Sequence, residues 1–263
     1  MPEAIRYLED QHAVVTGGSR GIGAAVAAEL VRRGARVTIM GRSAETLEEQ
    51  AQQLRGERGV TVSVEECDVS DGDSVANAFS RSVSTLGPVQ ILVNNAGTAK
   101  SRFFTETTRE IWDELIGTNL TGTYLCTTEV VPGMIEARSG RIVNIASTAG
   151  LRGYKTMSAY CASKHGVIGL TRALSQETAK YGITVNAVCP SYVDTDLTTS
   201  AVKNLVNNMG KSEDEALKMI VGVIPRGTLI TVDEVATAVS WLCSPDTSGI
   251  TGISLPIAGG EVQ

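Results

Sequence analysis

Short apolar runs alternate with amphipathic stretches along the whole chain. Ala13-Val14-Val15, Ala35 to Met40, Val60 to Val64, Ile91 to Asn94, Arg141 to Ile145, Thr184 to Val188 and Gly252 to Leu255 are bounded by turn residues and predict strands. The stretches between them carry helical spacing. They predict helices from about Ile22 to Gly34, Ser43 to Leu54, Ser74 to Thr85, Thr108 to Ala137 and Ser158 to Tyr181, with Pro132-Gly133 expected to bend or break the fourth. From Asp194 to Arg226 no strand pattern occurs, and two short helices are predicted on either side of Gly210-Lys211. Ser212-x-x-Glu215 and Thr231-x-x-Glu234 are capping boxes, the second opening a helix to about Cys243. Strict strand-helix alternation implies α/β architecture: a doubly wound parallel sheet of the Rossmann type, helices on both faces. No repeat, linker or low-complexity tract divides residues 1–263, so a single domain with a small helical lid at about 194–226 is expected.

The first strand runs into Thr16-Gly17-Gly18-Ser19-Arg20-Gly21-Ile22-Gly23 and then into the small-residue helix Ala24 to Ala28. In a strand-turn-helix of this kind the glycines let backbone approach a pyrophosphate, and the helix start offers N–H groups and a favourable dipole. A dinucleotide cofactor is therefore expected at Gly17, Ser19, Arg20, Gly21, Ile22 and Gly23.

Composition narrows the classes that remain. The 263 residues are 42% hydrophobic and 20% charged, with a net charge of −6 and no long basic block, which argues against a nucleic-acid partner. No apolar run approaches the ~20 residues of a membrane span. The start, Met1-Pro2-Glu3-Ala4-Ile5-Arg6, lacks the order of a signal peptide, and a cytoplasmic setting is expected. Cys67, Cys126, Cys161, Cys189 and Cys243 are scattered without Cys-x-x-Cys spacing and read as reduced, buried small hydrophobes. With only His12 and His165 present, no metal site is indicated, and the chemistry has to come from other side chains. His165 reads as structural.

Four further signals fall into one frame. Asn94-Asn95-Ala96-Gly97 ends the fourth strand, Asn119 lies in the long helix, Ser147 ends the fifth strand, and Tyr160-Cys161-Ala162-Ser163-Lys164 opens the next helix. Strand ends at Thr16, Asn94 and Ser147 share the ligand-facing rim of a doubly wound sheet. Tyr160 and Lys164, at i and i+4, share a helix face, where an ammonium would favour the phenolate and lower a tyrosine pKa from its usual ~10. Tyr160 and Lys164 thus read as a proton relay.

With its glycine turn, Asn-Asn-Ala-Gly, Ser147, Tyr160-x-x-x-Lys164 and Pro190-x-x-Val193-x-Thr195, the chain resembles the short-chain dehydrogenase/reductase family over nearly its whole length. The resemblance implies Tyr160 as general acid/base, Ser147 on the substrate oxygen, and Lys164 on the nicotinamide ribose. It places Asn119 on a relay water, Thr195 on the carboxamide, and Asp68 with Val69 at the adenine. Asn95, Ala96, Gly97, Pro190 and Val193 complete the implied cofactor contacts. It also implies a homotetramer using the helices after Gly97 and around Tyr160, where Ala162, Gly166 and Gly169 would allow close packing.

The second strand ends Met40-Gly41-Arg42 with no acid for a ribose hydroxyl, so Arg42, together with Arg20, is expected to face a 2′-phosphate and select NADP(H). Ser191 and Ala258 stand where the family usually has glycine and aspartate. The chain looks most like 3-oxoacyl-thioester reductases and polyketide ketoreductases, and apolar lid residues Leu197, Val202, Leu205, Val206, Met209, Leu217 and Ile220 predict an apolar pocket. The expected substrate is a small-molecule ketone, a coenzyme A thioester among the candidates. Lys203, Lys211 and Lys218 could meet its phosphates, but Glu213, Asp214 and Glu215 lie among them, and Tyr181 stands where carrier-protein reductases often place a basic residue. Two alternatives stay open: an alcohol dehydrogenase of the 3-hydroxyacyl or 3-hydroxybutyrate type working oxidatively, and a non-catalytic NADP(H)-binding sensor.

Overall fold

The computed structural model describes residues 6–56 and 60–262; the first five positions of the start read above for a leader lie outside them. Strands β1 (His12–Thr16), β2 (Arg36–Gly41), β3 (Val62–Glu66), β4 (Ile91–Asn94), β5 (Gly140–Ile145), β6 (Ile183–Pro190) and β7 (Ser254–Ile257) form one parallel sheet in the order β3-β2-β1-β4-β5-β6-β7. The helices are α1 (Gly21–Arg32), α2 (Ala44–Arg55), α3 (Gly72–Leu86), α4 (Arg109–Ile116), α5 (Gly122–Ala137), α6 (Ser158–Thr178), α7 (Asp196–Met209), α8 (Glu213–Val221) and α9 (Val232–Cys243). Strand order reverses between β1 and β4, and this switch point opens a crevice at the carboxyl ends of the strands.

Alternation along each strand feeds two cores. Ala13 and Val15 pack with Val26, Leu30 and Val239 under α1 and α9, whereas Val14 packs with Phe79, Cys126 and Met134 under α3 and α5. Each large aliphatic side chain so buried contributes about 1.5–3 kcal/mol against exposure, which fixes register because a one-residue slip would exchange the two faces. His12 is fully buried on β1, its ring nitrogens bonded to the Gly87 carbonyl (2.7 Å) and Thr38 Oγ1 (2.9 Å); burial holds its pKa below the usual histidine value.

The long helical stretch departs from expectation. Pro132 does not break α5, which continues to Ala137, because Pro132 and Thr128, whose carbonyl loses its partner, both lie on the solvent side. The interruption comes earlier, as a π-helical turn at Gly117–Thr121 between α4 and α5. Elsewhere the ends shift by a few residues: α3 starts at Gly72, capped by Asp71, and β7 runs to Ile257.

Candidate active site

Close packing between β1 and β4 shapes the glycine turn. A Cβ on Gly23 would lie 2.1 Å from the Gly17 carbonyl oxygen, and one on Gly17, itself at φ +64°, would lie 2.9 Å from Asn95 Nδ2. Both positions therefore exclude side chains and keep the turn against the sheet. Asn95 braces it, donating through Nδ2 to the carbonyls of Thr16 (2.9 Å) and Gly17 (3.1 Å), while Thr16 Oγ1 accepts from the backbone of Asn95 and Ala96 at 3.0 Å. Helix α1 begins at this turn with neither a side-chain cap nor an acid in its first turn, so its leading N–H groups stay free for an anion. Open N–H groups beside a cradle that any Cβ would fill fit the pyrophosphate of a dinucleotide.

The cations expected at the 2′-phosphate part company. Arg20 Nη1 lies 3.3 Å from the Asp196 carboxylate at the start of α7, an exposed pair, so this arginine is turned toward the lid. Arg42 is exposed at the end of β2 and its charge reaches Asp68. The Asp68 carboxyl is held below its ordinary range first by the Ser70 hydroxyl and N–H and further by Arg42. Val69 is buried against Gly122, where a Cβ would meet its Cγ2 at 2.8 Å.

On the same rim, β5 ends into Ser147, whose Oγ accepts from the Ala149 N–H (3.1 Å) and whose hydroxyl works against the rise in the Tyr160 pKa. Tyr160 and Lys164 share one face of α6, as their spacing requires. The expected lowering of the tyrosine pKa does not occur: burial pushes it up to about 12 despite the Ser147 hydrogen bond. Lys164 is buried and donates to the Ile145 carbonyl (2.8 Å), with Nζ 5.8 Å from the Tyr160 ring centroid, and burial pushes it down to about 8. Desolvation thus dominates at both groups, and Tyr160 is a neutral phenol at pH 7.

Asn119 is buried in the π-helical turn with its amide fully committed. Oδ1 accepts from Thr98 N (2.9 Å), and Nδ2 donates to the Thr98 carbonyl (2.9 Å) and Ser163 Oγ (3.0 Å). The amide therefore clamps the segment after Gly97 to α6, and a relay water would have to bond the Asn119 main-chain carbonyl, which already accepts the Thr123 hydroxyl. The extra residue of the π turn aims the amide inward, a use for which such bulges recur at functional sites. Ser163, given no role in the sequence, and Thr16, read there only as a strand end on the rim, complete the support.

Pro190 ends β6, Val193 is buried and bridges to Ile230, and Thr195 caps α7 by position alone, its Oγ1 bonded at 3.3 Å to the Val193 carbonyl. Thr195 Cγ2 would lie 3.3 Å from a Cβ on Gly21, so the lid root and the glycine turn are neighbours. In the lid, Leu197, Met209 and Leu217 are exposed while Ile220 is buried. All five cysteines are buried and unpaired, and His165 is exposed with its ring on the Cys161 carbonyl. Gly166, expected to free space for a neighbouring subunit, is filled within the chain by Leu120, 2.6 Å from where its Cβ would be.

Residues 11–206 match the model of the short chain dehydrogenase family. The chain belongs to that family. It is 40% identical over 249 residues to an acetoacetyl-CoA reductase of Rhizobium meliloti (95% of this chain, 97% of the relative). A 3-oxoacyl-(acyl-carrier-protein) reductase of Chlamydia muridarum is 38% identical over 253 residues (96% and 98%). Among solved structures, a single-substitution variant of actinorhodin polyketide ketoreductase with NADPH superposes with a TM-score of 0.92 at 39% identity, covering 95% of this chain and 97% of that one. No helix among the described residues is long and apolar enough to cross a membrane.

Proposed function

We propose that this short chain dehydrogenase is an NADP(H)-dependent ketoreductase that reduces the 3-oxo group of an acyl thioester or polyketide-like substrate to a secondary alcohol. One observation carries the reading: the half-buried Tyr160, with the Lys164 Nζ 5.8 Å from its ring centroid on the same face of α6, stands with Ser147 on the same crevice rim as the glycine cradle. The chemistry supplied by NADPH when bound is a hydride. Gly17 to Gly23 would hold its pyrophosphate, Arg42 its 2′-phosphate, Asp68 and Val69 its adenine end, and Thr195 with Lys164 its nicotinamide end. The Ser147 and Tyr160 hydroxyls orient the substrate oxygen, and Tyr160 gives that oxygen its proton.

The named activities of the relatives, on acetoacetyl-CoA, 3-oxoacyl carriers and a polyketide, support the substrate class. Exposed Phe103, Phe104, Trp112 and Tyr124 around α4 and α5 support a homotetramer, and the unpaired cysteines support a cytoplasmic setting. NADPH oxidation measured with acetoacetyl-CoA, longer 3-oxoacyl thioesters, a bicyclic ketone and aryl ketones tests the proposal. Turnover of 3-oxo compounds is expected; activity confined to sugars or steroids would refute it.

A further inference from the structure

The segment after β7 returns to the crevice. There the Glu261 carboxylate hydrogen-bonds two hydroxyls at once, Tyr154 on one oxygen and Ser191 on the other. The two partners belong to different walls. Tyr154 lies in the loop between the Ser147 turn and α6, and Ser191 follows β6 on the way to Thr195. The Tyr154 hydroxyl also lies 2.9 Å from Thr148 Oγ1, next to Ser147. A phenol has one proton, and with that proton on the carboxylate the Thr148 hydroxyl is left to donate to the phenol oxygen. The Arg152 guanidinium stacks 4.7 Å from the Tyr154 ring centroid and reaches the Glu261 carbonyl at 3.5 Å. The segment is itself seated: Arg226 N donates to the Gly259 carbonyl (3.0 Å), and Ser191 N donates to the Ile257 carbonyl (3.1 Å).

We propose that Glu261, acting through Tyr154 and Ser191, is a positioning residue that fixes the spacing of the two walls of the substrate crevice and so sets substrate affinity. The inference rests on the ketoreductase reading for its substrate but not for its geometry. A glycine at 191 would offer no hydroxyl to the carboxylate, so serine at this position supplies one arm of the clasp. Charge-assisted hydrogen bonds of this kind are about twice as strong as neutral ones, and two on one carboxylate hold both walls together. Because Glu261 reaches neither Tyr160 nor the glycine turn by hydrogen bond, its loss should act on KM before kcat.

Two readouts test this. In Glu261→Ala the KM for acetoacetyl-CoA should rise about tenfold, with kcat within about threefold and NADPH affinity unchanged. Glu261→Gln should restore KM to within about threefold, since the amide can still bridge both hydroxyls. Adding Ser191→Ala to Glu261→Ala should change nothing further, because the arm is already lost. Independently of any substrate, amide exchange over residues 151–157 and 191–194 in the protein without nucleotide should quicken about tenfold in Glu261→Ala and stay near wild type in Glu261→Gln. Unchanged exchange in a folded Glu261→Ala would overturn the clasp, as would an unchanged KM. A wild type inert toward every ketone, with the exchange effect present, would instead overturn the ketoreductase reading and leave the clasp standing.

Discussion

Helices that begin around the glycine turn and the Tyr160 face are finished differently from the others. Elsewhere α2, α4, α8 and α9 start on Ser43, Thr108, Ser212 and Thr231, each side chain accepting a backbone N–H, and α3 starts on Asp71, which accepts two; α2 and α3 follow Arg42 and Asp68 at the outer end of the rim. At the crevice, α1, α6 and α7 start on Arg20, Met157 and Thr195 with no side-chain cap. An N-cap of Ser, Thr or Asp is worth about 0.5–2 kcal/mol, so its absence at three neighbouring starts forgoes stability at one place in the fold. Around the rest of the sheet the chain satisfies its own donors; at the glycine turn and the Tyr160 face it leaves helix-start donors without a side-chain cap.

Filling an open start should have the largest effect. Arg20→Asp would cap α1, whose N-cap residue is already extended (φ −158°, ψ 170°), and would set a negative charge where the pyrophosphate is read to sit. NADPH affinity should fall by about 100-fold or more, while thermal stability does not fall. Titration calorimetry beside a melting curve checks both; undiminished NADPH binding would erase the contrast between the two sets of helices. Next comes Arg42→Ala, which should cut the preference for NADPH over NADH by about tenfold, a charge-assisted contact being worth ~1.5–3 kcal/mol. Parallel kcat/KM values for the two nucleotides measure it, and an unaltered ratio would remove Arg42 from the phosphate. The smallest effect is expected on the scaffold side. Thr231→Ala breaks a capping box and should cost about 1 kcal/mol, a Tm lower by roughly 2–4 °C, with kinetic constants unchanged.

How much of this was legible in the sequence depended on range. Strands, helices and capping boxes rest on neighbours a few residues apart, and apolar periodicity placed every strand of the sheet to within a few residues. The crevice rim followed, since strand ends in a doubly wound sheet are positioned by topology. What was not legible rests on contacts between distant segments. Pro132 carries a strong local signal for a break, yet whether it breaks depends on which side of α5 meets water. The true interruption, around Asn119, is set by Thr98 and Ser163, which belong to other segments. Arg20 lies in the turn, but its partner Asp196 is 176 positions away. Spacing put Tyr160 beside Lys164 but could not report how far each is withdrawn from water, and desolvation decided the direction of the tyrosine's shift. The Glu261 clasp left only the trace of a serine at 191.

The central claim is that Tyr160 gives the proton in a ketone reduction supported by the cradle and Lys164. Tyr160→Phe removes one oxygen and leaves the glycine turn, Arg42 and the Lys164 bond to Ile145 in place. Pre-steady-state NADPH oxidation with acetoacetyl-CoA, beside NADPH binding on the same samples, measures both parts. The account predicts a hydride-transfer rate lower by about two orders of magnitude or more, with NADPH affinity within about twofold of wild type. A rate close to wild type in the phenylalanine variant would contradict it.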